Sequence, residues 1–274
     1  MKNNYLLFIL ISAFAAISCS KTEEPIPVDP FQDMTKISSS STGFDGYKMD
    51  VYMNEDPFVG FNNVYVSVYD SVSGEYPTDW TISFAPIMTM MMNGTTMKHS
   101  CPIEQPMYDL ELKAYAGAAV FIMPTTDMGF WTFTINYENA MGGGSLSFTP
   151  SVVEKSNPAM VSFISEFDST TKFFVALIEP SKPDVGINDF EIGIYTKETM
   201  MSFPASNDLT VHIVPEMPSM DHGSPENVDP ISIGNGRYKG SVNFTMTGLW
   251  RVHMTIDDQN LNTVALDKYF DIEF

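Results

Sequence analysis

Met217, Met220 and His222 fall within one short stretch, Pro215-Glu216-Met217-Pro218-Ser219-Met220-Asp221-His222-Gly223. If the backbone turns at Pro218 and Gly223, that spacing brings two thioethers and an imidazole to a single ion. Thioether, imidazole and thiolate form the soft ligand set that selects Cu(I), and imidazole also serves Cu(II) and zinc. A thioether has no proton to lose, whereas His must be neutral and Cys deprotonated before either can ligate. An earlier segment carries the same residue types: Met88, Met90, Met91, Met92 and Met97 crowd towards His99 and Cys101. Gly, Pro, Asn and Asp in both stretches argue for loops or strand ends. Methionine packs little in such places, so its enrichment there is informative. The competing reading is packing, with flexible methionines closing the open end of a sandwich.

The other two histidines read differently. His212 stands between Val211 and Ile213, and His253 between Val252 and Met254, so both point away from a core. On neighbouring strands the two imidazoles could meet and form a second metal site; the alternative is two separate solvated side chains. Catalysis has little support. No nucleophile elbow, His-Glu-x-x-His or Gly-rich phosphate loop occurs, and the chain is read as a non-enzyme.

The elements that must position these residues are strands. Tyr65–Tyr69, Thr81–Phe84, Trp131–Ile135 and Val242–Met246 alternate in hydrophobicity and are rich in β-branched and aromatic residues, which is the period of a half-buried strand. Trp250, Val252, Met254 and Ile256 share one face and are expected in a core. Helical periodicity is nowhere sustained. The second half also repeats the first. Val59-Gly60-Phe61-Asn62-Asn63-Val64 matches Val185-Gly186-Ile187-Asn188-Asp189-Phe190, and Ile82 to Met88 matches Val211 to Met217. His99-Ser100-Cys101-Pro102, Tyr115-Ala116-Gly117 and Gly129-Phe130-Trp131 match His222-Gly223-Ser224-Pro225, Tyr238-Lys239-Gly240 and Gly248-Leu249-Trp250. Matching blocks in one order imply duplication. The expected fold is all-β: two tandem immunoglobulin-like β-sandwich domains, over residues 43–152 and 160–274.

Pro-x-Met-Pro-x-Met-x-His-Gly, then Gly-x-Tyr-x-Gly, an alternating strand and Gly-Leu-Trp, resembles the YtkA-like (FixH-related) family of small immunoglobulin-like exported domains. The resemblance runs from Pro215 to Ile256, with a weaker echo from Pro86 to Tyr137. It implies copper handling, or maturation and assembly of membrane complexes. It also implies Met217, Met220 and His222 as ligands in the second domain, and Met88, Met91 and His99 in the first. The first departs from the pattern: extra residues separate Met91 from His99, Cys101 is added, and the His-Gly turn is missing.

The N-terminus indicates where such a protein works. Tyr5 to Ile17 is an apolar run, too short to cross a bilayer, that reads as a secretory signal over residues 1–18. Ala16-Ile17-Ser18-Cys19 resembles a lipobox, which makes Cys19 the lipidated residue and the lipid the membrane anchor. Residues 19–42 read as the lipidated Cys and a flexible tether, and the acidic Glu23-Glu24 resembles the surface-export signal of Bacteroidota lipoproteins. An outer-membrane lipoprotein is expected, at the cell surface or on the periplasmic face. With Cys19 acylated, Cys101 has no partner for a disulfide and is either buried and inert or kept for metal or redox chemistry. The formal charge of −20 excludes nucleic acid as a partner. Two functions follow: a copper-binding protein that handles or senses the metal, or an accessory subunit of an outer-membrane protein complex in which any metal is structural.

Overall fold

The computed structural model describes residues 29–274 except Asn93. The signal segment, Cys19 and the first part of the tether lie outside the described residues. All regular structure among those described is β-strand.

The first half makes two antiparallel sheets. One has the order β1 (Thr35–Ser41), β2 (Tyr47–Met53), β3 (Gly60–Asp70), β7 (Ala114–Phe121), β6 (Ile103–Asp109). The other has the order β5 (Thr95–His99), β4 (Thr81–Met92), β8 (Gly129–Asn139), β9 (Gly142–Phe148). The second half repeats this arrangement strand for strand. Its larger sheet is β10 (Met160–Ile164), β11 (Lys172–Glu179), β12 (Gly186–Thr196), β16 (Arg237–Phe244), β15 (Val228–Gly234). Its smaller sheet is β14 (His222–Gly223), β13 (Leu209–Met217), β17 (Leu249–Asp258), β18 (Thr263–Glu273). The chain is therefore all-β, in two β-sandwiches of the same topology.

The repeat persists at the level of single atoms. Asn62 Nδ2 donates to the carbonyls of Phe58 and Gly60, and its Oδ1 accepts from Phe58 N. Asn188 does the same with Asp184 and Gly186. The Tyr115 hydroxyl accepts from Trp80 N and donates to Pro77 O, and the Tyr238 hydroxyl accepts from Leu209 N and donates to Ser206 O. Both tyrosines clip one sheet to the loop entering the other. Glycine recurs beside them because β6 and β15 bulge towards this point. A Cβ on Gly117 would lie 2.6 Å from Glu104 O, and one on Gly240 2.3 Å from Val228 O.

Alternation fills each core as the sequence implied. Trp131, Phe133 and Ile135 of β8 point inwards, as do Trp250, Val252, Met254 and Ile256 of β17, all fully buried. A buried aromatic removes roughly 200 Å² from water, about 5 kcal/mol at ~25 cal/mol per Å². An exposed ion pair such as Lys155–Glu55 contributes about 0–1 kcal/mol. Packing of these aromatics, not surface charge, holds each sandwich together.

One boundary needs correction. The stretch read as tether up to residue 42 contains β1, which pairs along its length with β2. The Ser/Thr-rich sequence hides it: β1 is an edge strand with one partly buried apolar side chain, Ile37, packed on the core. Polar contacts hold the rest, with Lys36 and Ser39 bonded to the buried Asp50 carboxylate. Phe31 stacks on Tyr52 at 4.4 Å, so the ordered unit begins before the tether was expected to end.

The sandwiches touch through Phe61, Ala118 and Val120 of the first and Ala176 and Tyr195 of the second. Arg237 bridges them. Its guanidinium makes two bonds to Glu104, at 2.8 and 3.1 Å, and one to Glu191 at 3.1 Å, while lying 4.9 Å from the Phe61 ring.

Candidate functional site

The methionine segments are not free loops. They are the ends of two equivalent β-hairpins, at the same end of each smaller sheet. In the second sandwich Met217 and His222 face each other across the β13–β14 pair. Asp221, at φ 51°, closes the turn, and Met220 N and Asp221 N both donate to Met217 O at 3.0 Å. This tight turn is what Pro218 and Asp221 permit. Met217 is buried, Met220 is 58% exposed at the turn, and His222 is half-buried. The imidazole meets the Trp250 ring edge-on at 5.7 Å and 75°. Beneath it a Cβ on Gly248 would stand 3.3 Å from Met217 Cε, and its φ of 127° favours glycine in any case. Trp250 Nε1 donates to Met246 O at 2.9 Å, which fixes the ring.

The first sandwich builds the same arrangement. Met88 faces His99 across β4–β5, and His99 meets Trp131 edge-on at 5.4 Å and 88°. Trp131 Nε1 donates to Met123 O at 2.9 Å, and a Cβ on Gly129 would stand 2.7 Å from Met88 Cε. Here the hairpin is longer. Pairing continues outwards through Met90↔Met97 and Met91↔Thr96 to Met92↔Thr95, which accounts for the extra residues before His99. Met91 therefore sits three pairs beyond Met88, about 10 Å along the strand. Alternation also puts it on the opposite face of the sheet. The structure brings Met88 and His99 together and leaves Met91 apart from them.

His99 is 3% exposed. Its Nδ1 lies 2.7 Å from Ser100 O. A carbonyl only accepts, so Nδ1 carries the proton and Nε2 presents its lone pair. That Nε2 is buried with no protein partner. Burial holds the imidazole below its ordinary pKa, opposed by the bond to Ser100, so the neutral form that can ligate is favoured. The second sandwich covers this site, with Ser100 N donating to Met200 O at 2.8 Å.

Cys101 lies in the first core, 3% exposed, and burial pushes its thiol far above the usual range. A thiol so placed stays protonated and offers no thiolate. His212 and His253 lie on the outward face of neighbouring strands, as their flanking residues implied, but His253 pairs with Val214 rather than His212. Each is held by its own carboxylate: His212 Nδ1 bonds Asp229 at 2.9 Å, and His253 Nδ1 bonds Asp267 at 2.5 Å. His253 Nε2 lies 3.2 Å from Glu216 without hydrogen-bond alignment.

Among the described residues no three His, Cys, Asp or Glu side chains group as a metal site. Spacing gives no sign that two tryptophans flank the imidazoles; the repeated Gly-x-Trp block carries that signal, but in the sequence it reads as a repeat, a family motif and core. A concavity of about 790 Å³ lies between the sandwiches, lined by Phe58, Phe61, Lys155, Glu179 and Asp271 among others. None of the Met–His residues lines it.

Residues 170–255 match the YtkA-like family. The YtkA-like segment runs from β11 through most of β17, so it contains the whole Met217–His222 hairpin and Trp250. No curated protein matches the chain. Among solved structures, the Yersinia pseudotuberculosis adhesin InvE aligns at 10% identity over 80% of this chain and 56% of its own, with a TM-score of 0.23. This chain thus spans a little over half of the adhesin chain. A chimeric titin Z1Z2-Z1Z2 tandem carrying a GRGDS peptide from fibronectin aligns at 13% identity over 87% of this chain and 96% of its own, with a TM-score of 0.20. The YtkA-like segment is the copy with the open hairpin; the equivalent hairpin outside it is the covered one.

Proposed function

We propose that the protein is a lipid-anchored copper-binding protein, held at the outer membrane through Cys19, that handles or senses Cu(I) at the open hairpin of the second sandwich. The observation that carries this reading is the facing pair Met217 and His222 against Trp250, with Met220 exposed on the turn between them. Two thioethers and a neutral imidazole suit Cu(I), and a tryptophan ring beside them can attract a cation through its π face. Met217 and Met220 would supply sulfur and His222 nitrogen; the bound metal would supply soft, monovalent charge to be stored or passed on. A site of few ligands at an exposed turn fits exchange better than permanent structural binding. Binding, not catalysis, is the proposed role.

The first sandwich is proposed to hold metal less readily. Met88 and the free Nε2 of His99 fit a soft ion, but Met91 and Cys101 bring nothing to them. A competitive Cu(I) titration of the full chain, against the Met217→Leu/Met220→Leu variant, tests the reading. Leucine keeps size and apolarity, so stability should change by less than about 1.5 kcal/mol. The expected result is a normally folded variant that has lost its tightest copper. Equal binding by both proteins would make the methionines packing and favour the accessory-subunit reading.

A further inference from the structure

The outer strands of the four sheets are unequally protected. β1, β6, β15 and β18 are each interrupted by a shift of register, β5 carries Lys98, and β14 is two residues long. The chain leaving the five-residue β10 is tied to β18, with Glu166 N donating to Val264 O at 2.9 Å. β9 has none of these features. Its seven residues, Gly142-Gly143-Gly144-Ser145-Leu146-Ser147-Phe148, run in unbroken register with β8 and end their sheet. No Asp, Glu, Lys or Arg occurs from Asn139 to Val153, in a chain of formal charge −20. The counterpart in the second sandwich, β18, carries Asp267, Lys268, Asp271 and Glu273, with Asp267 at φ 52° where its register shifts. Charge, bulges and shortness keep sheet edges from pairing with other chains. The second sandwich uses them; the first leaves β9 with a row of backbone donors and acceptors open to solvent.

We propose that β9 pairs antiparallel with β9 of a second copy of this chain, about a twofold axis through Ser145. In that register Gly142 opposes Phe148, Gly143 opposes Ser147, Gly144 opposes Leu146, and Ser145 opposes itself. Leu146 and Phe148 are half-buried against the first core. Each meets a glycine of the other copy, so every large side chain on that face extends over a gap. The outer face sets glycine and serine together, where hydroxyls bond across strands. No like charges oppose each other along the pair, whereas two copies of an edge such as β18 would set carboxylate near carboxylate. The contact is isologous and closes at two copies, joining two four-stranded sheets into one of eight. A foreign strand would gain the same backbone bonds without the matched sizes.

The test uses the full chain with Cys19→Ala, so that no lipid contributes to association, and without metal, so that the outcome is independent of the copper reading. Ser145→Cys places two thiols at the axis, where paired Cα atoms stand roughly 4.5–5.5 Å apart, within reach of a disulfide. Ser147→Cys places them about 14 Å apart along the strands, beyond that reach. Cys101 is buried in both proteins. The expected result is a concentration-dependent dimer in sedimentation velocity, abolished by Ser145→Lys, and an oxidised dimer for Ser145→Cys but not for Ser147→Cys. An unaltered circular dichroism spectrum checks that the exposed Ser145→Lys position still folds. A chain that stays monomeric at millimolar concentration overturns the proposal, as does cross-linking that is equal for the two cysteines. A dimer that persists in folded Ser145→Lys places the contact elsewhere and overturns it too.

Discussion

The hairpins of the two sandwiches share a design and differ in access. Each sets a methionine opposite a histidine, aims the imidazole at a fully buried tryptophan and leaves a glycine beneath the methionine. In the first, the neighbouring sandwich covers the histidine through Ser100 and Met200, and β4–β5 extends its methionines away from the imidazole. In the second, the turn is short and Met220 stands exposed beside a half-buried His222. Duplication preserved the packing that builds the site. What diverged is the turn length and the neighbour, and those two features decide whether a donor can reach solvent.

The largest effect should come from the shared part. Trp131→Ala and Trp250→Ala each delete a fully buried ring and should cost about 3–5 kcal/mol in chemical denaturation. If one substitution proves nearly neutral, the two sandwiches do not depend on the same core and the equivalence fails.

A smaller effect should separate the copies. Arg237→Ala leaves Glu104 and Glu191 without their cation at the interface. Breaking a fully buried pair costs about 3–5 kcal/mol, and the partial exposure of these groups lowers the expectation to about 2 kcal/mol. Loosening the interface should raise the rate at which diethyl pyrocarbonate modifies His99 and leave that of His222 unchanged. Equal rates for His99 in both proteins would mean that the second sandwich does not cover the first site.

The smallest effect is on pH dependence. His99 is held below its ordinary pKa chiefly by burial. A depressed value means that the folded state favours the neutral ring. Its contribution is therefore complete above the unfolded value of about 6.5 and is lost as pH falls below it. Melting temperature should drop between pH 7 and 5, and His99→Gln should flatten part of that drop. An unchanged drop in His99→Gln would contradict the burial of its neutral ring.

Period-two alternation made much of this fold legible. It put Trp250, Val252, Met254 and Ile256 inside and His212 and His253 outside, as the structure has them. The repeated blocks also aligned Met88 with Met217 and His99 with His222; in space Met88 faces His99 and Met217 faces His222. Three features escaped. β1 is held by polar contacts to Asp50 rather than by an apolar pattern, so its sequence looks like a tether. Strand register decides which methionines share a face, and spacing alone could not show that the longer hairpin carries Met91 away from His99. The cover over His99 arises from contact between sandwiches, which no local pattern encodes.

The central claim is that sulfur of the open hairpin binds copper. X-ray absorption at the copper edge, on the full chain loaded with one equivalent of Cu(I), tests it directly. The expected spectrum shows sulfur together with nitrogen bound to the metal, the nitrogen lost in His222→Ala and the sulfur reduced in Met217→Leu/Met220→Leu. A spectrum with nitrogen and oxygen alone, or one that neither variant changes, would contradict the claim.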